Sequence, residues 1–105
     1  MINNIVVTGQ LMNIKRFENE RGVMFRAQIT QRNESNRAVF TMPIVIFDAD
    51  AQGFVQMLED SRHDEDKYTA EVIVSGTLDT KFGAPNEEKK PPFTRIVASK
   101  VELAV

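Results

Sequence analysis

Two related strand patterns, one near each end of the chain, constrain the fold more than any other feature. Residues 5–11 (IVVTGQL) carry apolar side chains at alternate positions, the period of a strand with one buried face, and Gly9 interrupts that row. Residues 74–78 (VSGTL) repeat the pattern around Gly76. A glycine inside a strand usually marks a bend, a bulge or the close approach of another backbone. The two strands therefore predict a small sheet that curls and closes on itself.

The segment after the first strand predicts a turn and a second strand. Residues 13–22 are polar and predict a turn. Residues 23–30 then alternate clearly, with Phe25 and Ile29 on an apolar face and polar side chains on the other. This alternation indicates one buried face and one solvent face.

The third strand and a helix follow. Residues 39–47 are apolar on both faces, and Pro43 favours an edge position or a bulge because proline has no N–H for the hydrogen-bond ladder. Asp48 or Asp50 can cap a short helix over residues 51–60. The apolar stripe of that helix, suited to closing one end of a barrel, consists of Phe54, Leu58 and either Val55 or Met57.

The order of these elements predicts an all-β fold, the five-stranded OB barrel with one short helix between strands 3 and 4. A chain of 105 residues forms one domain, here residues 1–105. A small β-sandwich is the alternative, and it would not need the helix at that place. The predicted strands cover residues 5–11, 23–30, 39–47, 70–82 and 93–103.

Composition excludes several classes of function. The chain has no cysteine, which excludes disulfides and thiolate metal sites. The N-terminus lacks the pattern of a signal peptide and the longest apolar run is too short to span a bilayer, so we expect a cytoplasmic protein without membrane association. The formal net charge of −2 gives no overall attraction for nucleic acid, so such binding would need a local basic patch.

Catalysis has little support in the sequence. The one histidine, His63, lies in an acidic segment that favours a solvated loop over a metal site. No phosphate-binding loop or nucleophile motif is present. We therefore expect a protein that is not an enzyme and needs no cofactor.

Binding has more support, because aromatic and basic side chains are interleaved along the predicted strands. Exposed aromatic rings stack on bases, and neighbouring cations hold phosphates. Burial of Phe40 under a second subunit or under the loop of residues 83–92 is the alternative to stacking. The candidate binding residues are Lys15, Arg16, Phe17 and Arg21 in the first turn, Met24 and Arg26 on strand 2, Phe40 and Met42 on strand 3, and Lys81 and Phe82 at the end of strand 4.

Several segments resemble the bacterial and phage single-stranded DNA-binding protein family in order and spacing. They are residues 1–11 (MINNIVVTGQL), 15–17 (KRF) with Gly22, the aromatic Phe40, residues 50–58, residues 74–82 (VSGTLDTKF) and residues 97–103. The resemblance implies an OB fold, single-stranded DNA held by aromatic and basic side chains, and assembly through the first strand and flanking strands. We expect a homodimer or homotetramer.

The chain departs from that family at identifiable positions. Gln10 and Asp79 stand where the family commonly has basic or polar residues, there is no tryptophan, and the sequence ends without an acidic C-terminal tail for recruiting partner enzymes. Residues 41–45 (TMPIV) resemble instead the small primosomal replication protein of the same fold. We expect sequence-independent single-stranded DNA binding in replication, recombination or repair. The alternative is an OB-fold adaptor that binds proteins.

Overall fold

The barrel predicted from the sequence is present in the computed structural model, which describes residues 3–81 and 93–104. The elements in these residues are β1 (Ile5–Asn19), β2 (Gly22–Arg32), β3 (Ala38–Ile46), α1 (Ala49–Ser61), β4 (Glu71–Lys81) and β5 (Phe93–Leu103). The five strands close in the order β1-β2-β3-β5-β4, with β3 and β5 parallel and the other pairs antiparallel. The helix α1 lies between β3 and β4 in sequence, so the prediction of an OB fold is confirmed.

The interior of the barrel is filled by the alternate apolar residues of every strand. Burial of this row is the main stabilising contribution to such a fold. The helix closes one end with Ala51, Val55 and Leu58, so Val55 and not Met57 completes its apolar stripe. Asp48 caps the helix, because its Oδ2 accepts a hydrogen bond from the backbone N–H of Ala51 at 2.9 Å. The strand residues of the core include Leu11, Phe25, Ile29, Ile44, Ile46, Val72, Val74, Ile96 and Val101.

The two glycines of the matched strand patterns both lie where another backbone comes close. A Cβ on Gly9 would lie 2.7 Å from the carbonyl oxygen of Thr30, and one on Gly76 would collide with the carbonyl oxygen of Val97. The register of β4 and β5 also shifts between Ser75 and Gly76. These contacts allow the barrel to close, as the sequence predicts.

The prediction of a polar turn over residues 13–22 is wrong. β1 continues to Asn19, and the turn consists of residues 20 and 21 alone. The strand changes register between Met12 and Lys15, and Asn13 has a left-handed backbone with φ of 54°. Beyond this bulge, residues 15–19 are exposed on both faces. They lack the apolar alternation of a half-buried strand, which is why their sequence resembles a turn.

The third strand was predicted to be apolar on both faces, and the row that contains Met42, Ile44 and Ile46 points into the barrel. Ile44 and Ile46 are core residues, and Met42 packs against the core. Met42 therefore does not lie on the outer face of the sheet, as a binding residue there would. Pro43 pairs with Gln28 of β2, and among the described residues β5 pairs only with positions 44–46 of β3. The proline thus lies in the half of β3 that is open on one side, as predicted.

No helix in the described ranges, 3–81 and 93–104, is long and apolar enough to cross a membrane.

Candidate functional site

A groove of about 490 Å³ runs over the outer face of the barrel where β1, β2, β3 and β5 meet. Because side chains alternate between the two faces of a strand, the outward-facing residues of β2 and β3 form much of its surface. We call this surface the strand groove. Its lining residues are Asn13, Lys15, Phe17, Arg26, Ala27, Gln28, Pro43, Ile44, Val45 and Arg95.

One wall of the strand groove combines a ring with two cations. Lys15 of β1 and Arg26 of β2 are register partners, and Phe17 pairs with Met24 one step further along the hairpin. The guanidinium carbon of Arg26 lies 5.0 Å from the ring centroid of Phe17, within cation–π distance. Phe17 is 42% exposed, so much of its surface remains available to a ligand.

The floor of the strand groove is apolar. Val45 is only 3% exposed although it does not belong to the barrel's interior cluster. It lies between Arg26 on β2 and Val97 on β5, and Pro43 lies beside it opposite Gln28. An apolar floor between cationic walls suits the faces of planar bases better than a small polar ligand.

The bulge in β1 supplies an amide pair at one end of the strand groove. The Nδ2 of Asn13 donates a hydrogen bond to the Oε1 of Gln28 at 3.1 Å. The left-handed backbone at Asn13 is one that asparagine tolerates better than most residues. The contact fixes both side chains toward the groove, and each amide keeps a second polar atom for a ligand.

Arg95 of β5 is a groove residue that the sequence analysis missed. Its Nε donates to the Oδ2 of Asp79 at 3.1 Å, and its side chain is 13% exposed. The signal was present, because Arg95 precedes the core residue Ile96 and must face outward. Without the pairing of β3 with β5, however, nothing in the sequence places it beside β2. The carboxylate of Asp79 is neutralised by this pair and does not line the groove.

The predicted site residues fall into two groups. Lys15, Phe17 and Arg26 line the strand groove, and Met24 lies beside them as the register partner of Phe17. Arg16 pairs with Phe25, on the other face of the hairpin, and its guanidinium binds Glu18 at 3.1 Å. Three further candidates lie apart from the groove: Arg21 is exposed in the turn, Phe40 is half-buried in the inward row of β3, and Met42 packs on the core. The side chain of Lys81 is not described, and Phe82 lies outside the described residues.

The acidic segment around His63 is held by Arg62. This side chain bonds to both carboxylate oxygens of Glu59 and to the backbone carbonyl of Asp66. The hydrogen bonds that Arg62 donates to Glu59, reinforced by the nearby carboxylates, raise the pKa of Arg62. Within the part of the chain that the structure describes, no three histidine, cysteine or acidic side chains are grouped to hold a metal ion.

Comparison with known proteins supports the fold alone. No protein-family model and no curated protein matches the sequence. Among solved structures, the chain is similar to the Plasmodium falciparum SSB in its complex with ssDNA, with a TM-score of 0.69 and 16% sequence identity. That similarity covers 100% of this chain and 97% of the other. The chain therefore shares its fold with that protein.

Proposed function

We propose that this protein binds single-stranded DNA without sequence preference, and that the strand groove is the binding surface. The observation that carries the proposal is the placing of Phe17, Arg26 and Lys15 around the apolar floor at Val45. Every base has a flat face that can stack on a ring, and every nucleotide has a phosphate that a cation can hold. A groove of this kind therefore binds a strand without hydrogen bonds that distinguish one base from another.

The charge of the strand groove favours this ligand over others. Three cationic side chains line it, of which Arg95 is paired with Asp79, and none of its described lining residues is acidic. The structural neighbour named above was solved with ssDNA bound, which agrees with the proposal. By extension, we propose a role on the single strands that replication, recombination and repair expose.

The proposal is tested by fluorescence anisotropy with labelled oligo(dT) at two salt concentrations. Phe17→Ala should weaken binding by on the order of 1–3 kcal/mol, the value of one base stacked on a ring. Arg26→Gln should weaken binding and make the salt dependence shallower by about 0.7 in the log–log slope. The matched control is Lys100→Gln, because Lys100 is an exposed cation of β5 that does not line the groove. Unchanged binding in both groove variants would refute the proposed site.

A protein adaptor is the second candidate, favoured by the apolar side chains on the surface. Val6, Val39 and Phe47 are each more than half exposed, and each could contact a protein partner. Absence of oligo(dT) binding by the wild type at low salt would favour the adaptor. We also propose, with these exposed side chains in support, that the protein is a homodimer or homotetramer. Light scattering at micromolar concentration tests it, and a mass near 11.9 kDa would contradict it.

A further inference from the structure

The outer row of β2 continues beyond the strand groove. Arg26 and Gln28 line the groove, and Thr30 and Arg32 follow at the same alternate positions. The extra residue near the end of this pairing is on β3, since Gln31 pairs with Phe40 and Arg32 with Ala38. The alternation of β2 is therefore intact, and the row from residue 26 to residue 32 extends for roughly 20 Å.

A second cation and ring meet at the far end of this row. The guanidinium carbon of Arg32 lies 4.2 Å from the ring centroid of Tyr68, and the Nζ of Lys67 lies 5.9 Å from the same centroid. We call Gln10, Arg32, Lys67, Tyr68 and Thr69 the Arg32–Tyr68 patch.

Hydrogen bonds hold Arg32 in this patch. Its Nε donates to the Oε1 of Gln10 at 2.8 Å, and the Nε2 of Gln10 donates to the carbonyl oxygen of Thr69 at 3.1 Å. Gln10 is thus engaged here and does not line the strand groove. Within residues 3–81 and 93–104, the terminal nitrogens of Arg32 donate no hydrogen bond. A guanidinium fixed through Nε in this way keeps its terminal donors for an anion such as a phosphate.

Depressions in the surface extend the patch along β2 toward the strand groove. Two shallow depressions share Gln10 and Arg32, and one of them reaches Thr30. Thr30 is the next outward residue after Gln28, which lines the strand groove. Thr30 itself is 1% exposed, so a chain lying along β2 would pass over it between Gln28 and Arg32.

The charges in the patch limit its strength. Arg32 and Lys67 are offset by Glu71 and Asp66, which line the same depressions. Asp66 lies close enough to Arg62 to favour the charged form of that guanidinium, so part of its charge is compensated. The patch is thus suited to one phosphate of a strand that is already bound elsewhere, and not to independent anion binding.

We infer that a single strand seated in the strand groove continues along the outer row of β2 and places one backbone phosphate on the Arg32–Tyr68 patch. This inference rests on the proposed function, because the groove supplies most of the binding. It predicts that affinity depends on oligonucleotide length, since only a longer strand reaches both sites.

The experiment measures anisotropy with oligo(dT) of a series of lengths from about 4 to about 16 nucleotides, the range occupied on single OB folds. Arg32→Gln should bind the shortest strands as the wild type does. It should bind the longest strands about three- to fivefold more weakly, the effect of a solvent-exposed charge pair. The log–log salt slope for the longest strands should become less negative by about 0.7. Lys67→Gln, whose side chain makes no hydrogen bond among the described residues, should change binding in the same direction, and Lys100→Gln should leave it unchanged.

Three results would overturn the inference. Wild-type affinity for long strands in both patch variants would remove the patch from the path and leave the groove intact. An equal loss at every length, together with a lower melting temperature, would show that Arg32 acts through the fold. If the wild type binds none of the strands, the proposed function itself fails, and that outcome is distinct from the first two.

Discussion

Gly76 and Gly53 offer a matched pair of glycine-to-alanine changes with opposite expected effects. A Cβ on Gly76 would collide with the carbonyl oxygen of Val97 and lie 2.9 Å from the Cα of Ala98. These atoms are backbone of the paired strand β5, so they cannot move aside as the end of a side chain can. Gly53 lies in α1, where a Cβ would meet nothing within 4 Å.

The magnitudes follow from these surroundings. Overpacking typically costs about 1–3 kcal/mol of folding stability, and a clash with backbone belongs at or above the upper end of that range. We therefore expect Gly76→Ala to lower the free energy of unfolding by about 3 kcal/mol. Gly53→Ala removes the low helix propensity of glycine and should raise the free energy of unfolding by up to about 1 kcal/mol. The free energy of unfolding of a single domain is about 5–15 kcal/mol, so Gly76→Ala removes a large part of the stability.

Thermal and urea unfolding followed by circular dichroism measure both effects. At about 4–8 °C for each kcal/mol in a domain of this size, Gly76→Ala should melt roughly 12–24 °C below the wild type. Gly53→Ala should melt a few degrees above it. A Gly76→Ala protein that unfolds within two or three degrees of the wild type would refute the reasoning. It would show that β4 and β5 can separate without loss of barrel closure.

Three further changes test other contacts. Asp48→Ala removes the helix cap and should cost about 1 kcal/mol in urea unfolding, with Asp48→Asn as a control that keeps a capping oxygen. Asp79→Asn removes the charge paired with Arg95 and should strengthen oligo(dT) binding, so weaker binding would contradict a phosphate-facing role for that arginine. Phe40→Ala separates the two interpretations of this half-buried ring: a stacking ring should lower oligo(dT) affinity by on the order of 1–3 kcal/mol, whereas a ring packed in the structure should lower the melting temperature instead.

The barrel could be predicted because its constraints are local. Alternation with a period of two identifies the inward residues of β2 and β4 directly, and the glycines of β1 and β4 mark the close approaches. The helix is recognisable from its acidic cap and its apolar stripe. Each of these signals lies within about ten residues and is independent of which strands become neighbours.

The hairpin beyond the bulge could not be predicted from such signals. Residues 15–19 extend past the core, and both faces of the strand meet water. A strand with both faces in water does not need apolar side chains at alternate positions, and its stability comes from pairing with β2. The bulge at Asn13 also resets the alternation, so the pattern of residues 5–11 cannot simply be continued.

The candidate site was predicted only in part, because some of its residues are brought together by pairing between strands that are distant in sequence. Lys15, Phe17 and Arg26 are near one another in sequence and reach the same face through one hairpin. Arg95 joins them only through the parallel pairing of β3 with β5, which no short segment encodes. Met42 packs against the core, and the sequence left this open because a strand that is apolar on both sides gives no indication of which row is inside.

The net charge of the chain is a poor guide to the charge of its groove. The sequence suggests that Gln10 and Asp79 weaken a basic surface, but Gln10 bonds to Arg32 and Thr69 away from the groove, and Asp79 is neutralised by Arg95. The acidic residues 59–66 lie at the end of α1 and do not line the groove. Since charges separated by more than about 8–10 Å are largely screened at physiological salt, a phosphate in the groove responds mainly to the cations beside it. A protein with a formal charge of −2 can therefore present a local surface that favours a polyanion.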